Sequence, residues 1–222
     1  MLEKIENKSL QKQVYDRLKE ALTCGEFEPG QAMVIRNLAD KLGCSPMPVR
    51  QSLQRLVSEH ALTAKDSARS TIRVPCISPE AYEDIKSVRK ILEPAAAARA
   101  AERSTPELVR ELHALDKKMK QAIEAGDAQQ AAKTNRAFHF AIYQAADSLT
   151  LLRSIESLWL QSGPYFRILI GRYFPGGTSG HGTSLNHNSH GSIIDAIENR
   201  DPEAAYKALS DDIHIAAKYY IV

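Results

Sequence analysis

Arginine and glutamine side chains in residues 34–56 have the types and the spacing needed to contact duplex DNA. The pattern predicts two short helices joined by a tight turn at Gly43, which is the layout of a helix-turn-helix. Arg36 lies on the first of these helices, and Arg50 and Gln51 face outward on the second. An arginine fork binds a phosphate or the O6 and N7 atoms of guanine. The segment therefore predicts double-stranded DNA as a partner.

A second set of candidate residues contains histidines in the C-terminal half of the chain. Asn135 and His139 are four residues apart in a strongly helical segment, so they share one face of a helix. His190 begins another helical segment, and His214 lies on the last one. Imidazoles on separate helices bind one ligand only if the fold brings their faces together. The spacing alone does not decide whether it does.

Three N-terminal helices are expected to position the basic residues. The first has an apolar residue at every fourth position, which is typical of an amphipathic helix. These residues are Leu10, Val14, Leu18 and Leu22. Ser45 is placed to cap the third helix, and Pro46 suits its first position, where a missing N–H costs nothing.

Residues 61–65 and 70–75 indicate two short strands around a polar turn. Such a hairpin would form the wing of a winged helix-turn-helix, and an irregular linker is the alternative. Pro75 and Pro79 then bracket a domain boundary. We expect a DNA-binding domain over residues 1–75, a linker over 76–79 and a second domain over 80–222.

The second domain is predicted to be an all-helical antiparallel bundle of roughly six helices. Ser78, Thr105 and Asp201 each precede a proline, a combination typical of helix starts. Residues 171–187 are rich in glycine, serine and histidine and indicate a loop. The predicted fold class is therefore mainly α, and the sequence leaves open whether the bundle has six helices or seven.

The composition is that of an ordinary globular protein, with 222 residues, 43% apolar and 25% charged. A net charge of +2 is too small to indicate nucleic-acid binding by itself. The cysteines Cys24, Cys44 and Cys76 lack the spacing of a disulfide framework or a zinc site, so we expect free thiols rather than a redox sensor. The sequence has neither a secretory signal at its start nor an apolar run of about 20 residues. These features predict a cytoplasmic protein that does not contact a membrane.

The chain resembles bacterial GntR-family transcription regulators of the FadR type, whose C-terminal helical domain is called FCD. The N-terminal resemblance rests on residues 14–18, 25–30, 38–39, 42–45 and 48–56. The C-terminal resemblance rests on residues 89–93, 138–139 and 190–197 and on His214. The resemblance as a whole implies a homodimeric, ligand-responsive transcription factor. Such a factor binds a near-palindromic operator, because twofold protein symmetry imposes symmetry on the DNA site. Most such regulators are repressors, and nothing in this sequence decides between repression and activation.

The resemblance also implies which residues contact DNA. The set consists of Arg36, Ser45, Pro46, Met47, Pro48, Arg50, Gln51 and, in the wing, Arg69. Pro46 and Met47 depart from relatives, which often have arginine or threonine there, and the usual wing glycine is absent from residues 66–70. Base readout is therefore expected to depend on Arg36, Arg50 and Gln51. A surface salt bridge is the alternative for Arg50, and the role of Arg55 is left open.

The resemblance to FCD domains implies that the C-terminal domain binds a divalent metal, with zinc or nickel as candidates. The matching residues here are Asn135, His139, His190 and His214. Asn135 stands where aspartate is common, and an amide lacks the charge of a carboxylate, which lowers the expected affinity for metal. The alternatives are a buried polar network that binds the effector without metal, and a metal that only holds helices together.

The implied effector is a small organic acid, with its carboxylate shared between the metal and Arg89. The predicted effector-binding set is Arg89, Asn135, His139, His190 and His214. Glu93, one turn after Arg89, is a possible partner, and an exposed Arg89–Glu93 pair is the alternative. A metal-dependent hydrolase using the three histidines is the rival function, although the sequence offers no obvious general base or nucleophile motif.

Overall fold

The computed structural model describes residues 10–64, 71–76, 78–166 and 188–217. These residues form almost only helices, so the predicted mainly-α fold class is confirmed. The helices are α1 (Leu10–Thr23), α2 (Ile35–Leu42), α3 (Pro46–Ser58), α4 (Pro79–Glu102), α5 (Pro106–Glu124), α6 (Ala128–Ala145), α7 (Leu149–Gln161), α8 (Asn188–Glu198) and α9 (Pro202–Ala217). Arg69 and the predicted loop at residues 171–187 lie outside the described residues. Among the described helices, none is both long and apolar enough to cross a membrane.

Helices α1–α3 form the N-terminal domain around one apolar core. Val14, Leu18, Leu22, Val49, Leu53 and Leu56 are all buried in it. Gly43 ends α2 in the left-handed conformation, with φ of 64°, which an L side chain adopts only at a cost. This glycine allows the sharp turn into α3, as the sequence predicted.

In the part of the wing that the structure describes, pairing is by single-residue bridges rather than by full strands. Thr63 and Arg73 exchange backbone hydrogen bonds of 2.8 and 2.9 Å in an antiparallel bridge. On the other side, Arg73 bridges to Ala32, and the Met33 N–H donates to the Ile72 carbonyl at 2.8 Å. The two predicted segments therefore pair, but in the described residues the pairing is limited to isolated bridges.

Helices α4–α9 form the C-terminal bundle, in which α4 packs on α9 and α5 packs on α6. The core contains Phe138, Ile142, Tyr143, Ile155 and Ile193, all fully buried. Ser78 and Thr105 accept hydrogen bonds from the backbone N–H groups of Ala81 and Leu108, so these predicted helix caps are confirmed. The three cysteines are free thiols, as expected.

Helix α7 contacts both domains. Leu160 packs in the N-terminal core, and Glu156 accepts a 2.9 Å hydrogen bond from Lys19 of α1. Directly after α7, Gly163 lies so close to the backbone of Leu22 that a Cβ atom would fall 2.9 Å from its carbonyl carbon. The DNA-binding domain therefore packs against α7 and the turn that follows it.

Candidate functional site

The second helix of the helix-turn-helix, α3, presents an exposed polar face. Arg50, Gln51 and Gln54 are exposed on it, and Arg36 is exposed on α2. Arg36, Arg50 and Gln54 line a groove of about 580 Å³, which residues 71–72 border on the wing side. Among the described residues, neither arginine has an ion-pair partner. Both side chains are exposed, as contact with phosphates or base edges requires.

The first turn of α3 departs from the prediction in two respects. Ser45 is the N-cap residue, but its side chain makes no capping hydrogen bond. One reason is that Pro48, at the third helical position, has no N–H to donate. Ser45, Pro46 and Met47 are exposed, as DNA contact requires, whereas Pro48 is buried. Pro48 thus contributes to packing rather than to the exposed face.

Arg55 is held by the protein itself, although it lies on the same helix as Arg50. Its Nε donates to Glu59 at 2.9 Å, and its guanidinium stacks 3.7 Å from the ring centre of Tyr15. The Tyr15 hydroxyl also donates to Glu59, at 2.6 Å. The sequence left the role of Arg55 open, and these contacts assign it to the packing of α3 on α1.

A fully buried carboxylate, Glu93, lies at the centre of the C-terminal bundle. Arg89 donates to it from Nε at 2.6 Å and from Nη2 at 3.2 Å, and only 11% of the Arg89 side chain is exposed. The Tyr143 hydroxyl donates to Glu93 at 2.6 Å, and the Trp159 indole N–H donates at 3.1 Å. The pair is therefore buried, not the exposed helix pair that the sequence also allowed, and Glu93 fixes the orientation of Arg89.

Tyr143 connects this carboxylate to one of the predicted histidines, His139, and a second, His190, lies beside His139. His139 and His190 are both buried, with ring centres 5.3 Å apart. His139 Nδ1 is 3.3 Å from the Tyr143 hydroxyl, and its Nε2 is 3.6 Å from Asp212 Oδ2. Burial lowers the pKa of His139 to about 3, despite the opposing charge of Asp212. Its imidazole is therefore neutral at physiological pH and keeps one nitrogen lone pair for a ligand.

His190 stacks on Phe138, with ring centres 3.9 Å apart. Its Nδ1 faces Asp116 Oδ1 at 3.5 Å, and neither of these buried atoms has a hydrogen-bond partner among the described residues. Burial raises the pKa of Asp116, but His190 and Lys120 outweigh that effect and lower it overall. The two buried atoms therefore lie within ion-pair distance of each other without forming a hydrogen bond of normal geometry.

The remaining predicted ligands are placed differently. Asn135 is half-buried one turn before His139, whereas His214 is exposed. On α9 the buried residues Leu209 and Ile213 define the inward face, and Asp212 lies beside it. At 3.6 residues per turn, His214 is about 140° from Leu209 around the helix. Asp212, not His214, is therefore the residue of α9 that lies near His139.

Sequence reasoning missed four residues of this site: Asp116, Tyr143, Trp159 and Asp212. The positions of Leu209 and Ile213 would have indicated Asp212, because residues three or four apart share a helix face. No comparable signal existed for Trp159, which reaches Glu93 from a different helix. Among the described residues, no three His, Cys, Asp or Glu side chains are grouped closely enough to hold a metal ion as they stand.

The two domains match two known protein families. Residues 10–72 match the bacterial regulatory proteins of the gntR family, and residues 84–214 match the FCD domain. The chain is 35% identical over 208 residues to the HTH-type transcriptional regulator McbR of Escherichia coli (strain K12), covering 94% of this chain and 91% of McbR. The chain belongs to the GntR family. As a GntR regulator with an FCD domain it is a transcription regulator, and the hydrolase alternative has no support.

One solved structure supports this assignment, a second shares the fold, and a further relative is similar in sequence. The structure of E. coli McbR superposes on the GntR chain with a TM-score of 0.84 at 32% identity, covering 94% of this chain and 95% of McbR. A putative GntR regulator from Rhodococcus sp. RHA1 shares the fold, with a TM-score of 0.73 at 18% identity over 96% of this chain and 98% of its own. A probable D-xylose utilization operon transcriptional repressor of Paenarthrobacter nicotinovorans is 25% identical over 92% of this chain and 85% of its own length.

Proposed function

We propose that this GntR regulator binds an inverted-repeat operator as a homodimer and responds to a small organic acid bound in its C-terminal bundle. The main support is the contrast on α3, where Arg50 is exposed beside Arg36 while Arg55 is bound by Glu59. Repression is the expected direction of control. Binding of the acid shifts the equilibrium between two states of the regulator only as far as the acid's affinities for those two states differ.

Selection of genomic DNA fragments by the purified full-length chain, at near-physiological salt, tests the proposal. We expect enrichment of fragments that share an inverted repeat, from a preparation that sediments as a dimer. Genes beside the repeat would indicate the class of acid. A folded dimer that enriches no fragment, with or without candidate acids, would contradict the proposal.

Arg50→Ala is expected to weaken operator binding by about 1–3 kcal/mol, the usual value of one specific arginine contact. Arg55→Ala is the matched control, because it removes the same side chain from the same helix where the guanidinium already has partners in the protein. Fluorescence anisotropy with the selected operator gives both affinities, and thermal melting verifies folding. Equal losses in the two variants would show that Arg50 makes no specific contact.

The homodimer is supported by apolar side chains exposed on α4. Val88 is 37% exposed and Ile91 is 64% exposed, and they are three residues apart on one face of the helix. A second copy of the chain would bury this face across a twofold axis, since the same patch is used on both subunits of a symmetric dimer. The sedimentation measurement above reports the dimer directly.

The proposed acid binds near Arg89, whose guanidinium Glu93 orients, and near His139 and His190, which are buried neighbours. Asn135, half-buried one turn before His139, completes the proposed set. His139 and His190 are also the residues proposed to hold a divalent metal, because they are buried neighbours and His139 has a neutral ring. His214 is outside this proposal because it is exposed. A bound metal would attract the carboxylate of the acid, and Arg89 would orient that carboxylate.

Zinc titration tests the metal part of the proposal. We expect the metal-stripped protein to bind one zinc ion per chain and to melt at a higher temperature with zinc, because a ligand that binds only the folded state stabilises it. His139→Ala is expected to lose both effects. His113→Ala is the control, since His113 is exposed on α5. If the wild-type chain binds no zinc by calorimetry, the histidines form a metal-free network.

A further inference from the structure

Met47 is an apolar side chain exposed on the face that α3 presents for DNA binding. It is the second residue of the helix and 60% exposed. Arg50 follows three residues later, so the two side chains are neighbours, about 5–6 Å apart at Cβ. A large apolar side chain beside an exposed arginine is placed to contact the same partner that the arginine contacts.

The first turn of α3 has few hydrogen-bond donors. A helix N-terminus normally offers several backbone N–H groups to phosphates. Here Pro46 and Pro48, at the first and third helical positions, have no N–H, so Met47 has the only backbone N–H among the first three residues. Neither Pro46 nor Met47 has a polar side chain. This end of the helix therefore suits an apolar feature of DNA better than a base-edge hydrogen bond.

The major groove offers one such feature, the C5-methyl group of thymine. We propose that Met47 packs against a thymine methyl in each operator half-site, within about two base pairs of the position that Arg50 contacts, given a rise of roughly 3.4 Å per base pair. The inference rests on the proposed operator binding and adds a specificity-determining residue to it. The unbranched, polarizable side chain of methionine adapts its shape to such a contact.

Uracil substitution in the selected operator tests the contact, because deoxyuridine lacks only the methyl group. Each thymine is replaced in turn, and affinities are measured by anisotropy with the full-length dimer. We expect one thymine per half-site at which uracil weakens wild-type binding by about fourfold, or about fifteenfold when both half-sites are changed, from the usual value of one buried methyl group. Met47→Ala should bind the thymine and uracil operators equally.

Val34→Ala is the matched control, because Val34 is an exposed apolar residue, 46% accessible, that lines the groove of the same domain. It should keep the uracil effect at the thymine that Met47 senses. Wild-type binding that tolerates uracil at every position, or a Met47→Ala variant that keeps the effect, overturns the contact while operator binding stands. If the chain selects no DNA at all, operator binding and the contact are both overturned.

Discussion

Glu93→Ala is expected to destabilise the protein by about 3–5 kcal/mol, the usual effect of removing one partner from a buried ion pair. The substitution removes the carboxylate that the Arg89 guanidinium binds, and only 11% of the Arg89 side chain is exposed. It also removes the acceptor for the Tyr143 hydroxyl and the Trp159 indole N–H. Urea unfolding measures the change, and the fluorescence of Trp159, the one tryptophan of the chain, reports on the site itself.

Glu107→Ala is the matched control for this measurement. Glu107 also accepts a 2.6 Å hydrogen bond from an arginine, Arg110, but both side chains are about 70% exposed. An exposed pair contributes little to stability, because water screens it and both side chains lose conformational entropy when they pair. A double variant, Arg89→Leu with Glu93→Leu, should be less destabilised than Glu93→Ala because it removes both buried charges, although Tyr143 and Trp159 still lose their acceptor. If Glu93→Ala and Glu107→Ala lowered the free energy of unfolding by similar amounts, burial would not explain the expected effect of Glu93→Ala.

Gly163→Ala is expected to destabilise the contact between the two domains, at a total cost of about 1–3 kcal/mol, as is typical of overpacking. The added Cβ would overlap the carbonyl group of Leu22, and backbone atoms in a helix do not move aside cheaply. If the two domains moved apart at this point, the Lys19–Glu156 ion pair would be weakened and Leu160 would become less buried. Urea unfolding gives the loss of stability, and small-angle scattering should show a larger radius of gyration.

Gly191→Ala in α8 is the control, because no described neighbour outside its own helix lies within 4 Å of the added Cβ there. Alanine is favoured over glycine inside a helix by up to about 1 kcal/mol, so this variant should be as stable as the wild type or more so. If Gly163→Ala matches Gly191→Ala in both measurements, α1 does not pack against the turn after α7 in solution.

Local features of this protein were predictable because neighbouring residues determine them. Gly43 permits the left-handed turn, and Ser78 and Thr105 cap helices with their own side chains. The period of apolar residues identified the buried side of α1 and α3. It also left Arg50 and Gln51 on the exposed side, which was enough to predict a helix-turn-helix.

Contacts between elements required the tertiary structure. Arg50 and Arg55 are alike in the sequence, and only the packing of Tyr15 and Glu59 beside Arg55 distinguishes them. Pro48 was expected to contact DNA and is buried. The wing was expected as two strands, and in the described residues it has isolated bridges, in which Arg73 pairs with Thr63 on one side and with Ala32 on the other.

The sequence by itself determined the two domains' helical character and the exposed basic helix, and it indicated His139 and His190 as candidates without showing that they are neighbours. Only the tertiary structure decided that Asp212 rather than His214 lies near His139, and that Glu93 binds Arg89, Tyr143 and Trp159 together. The physical reason is that residue spacing fixes which side chains share a face of one helix. Which faces meet depends on the rotation and crossing of whole helices, which the packing of the entire core sets.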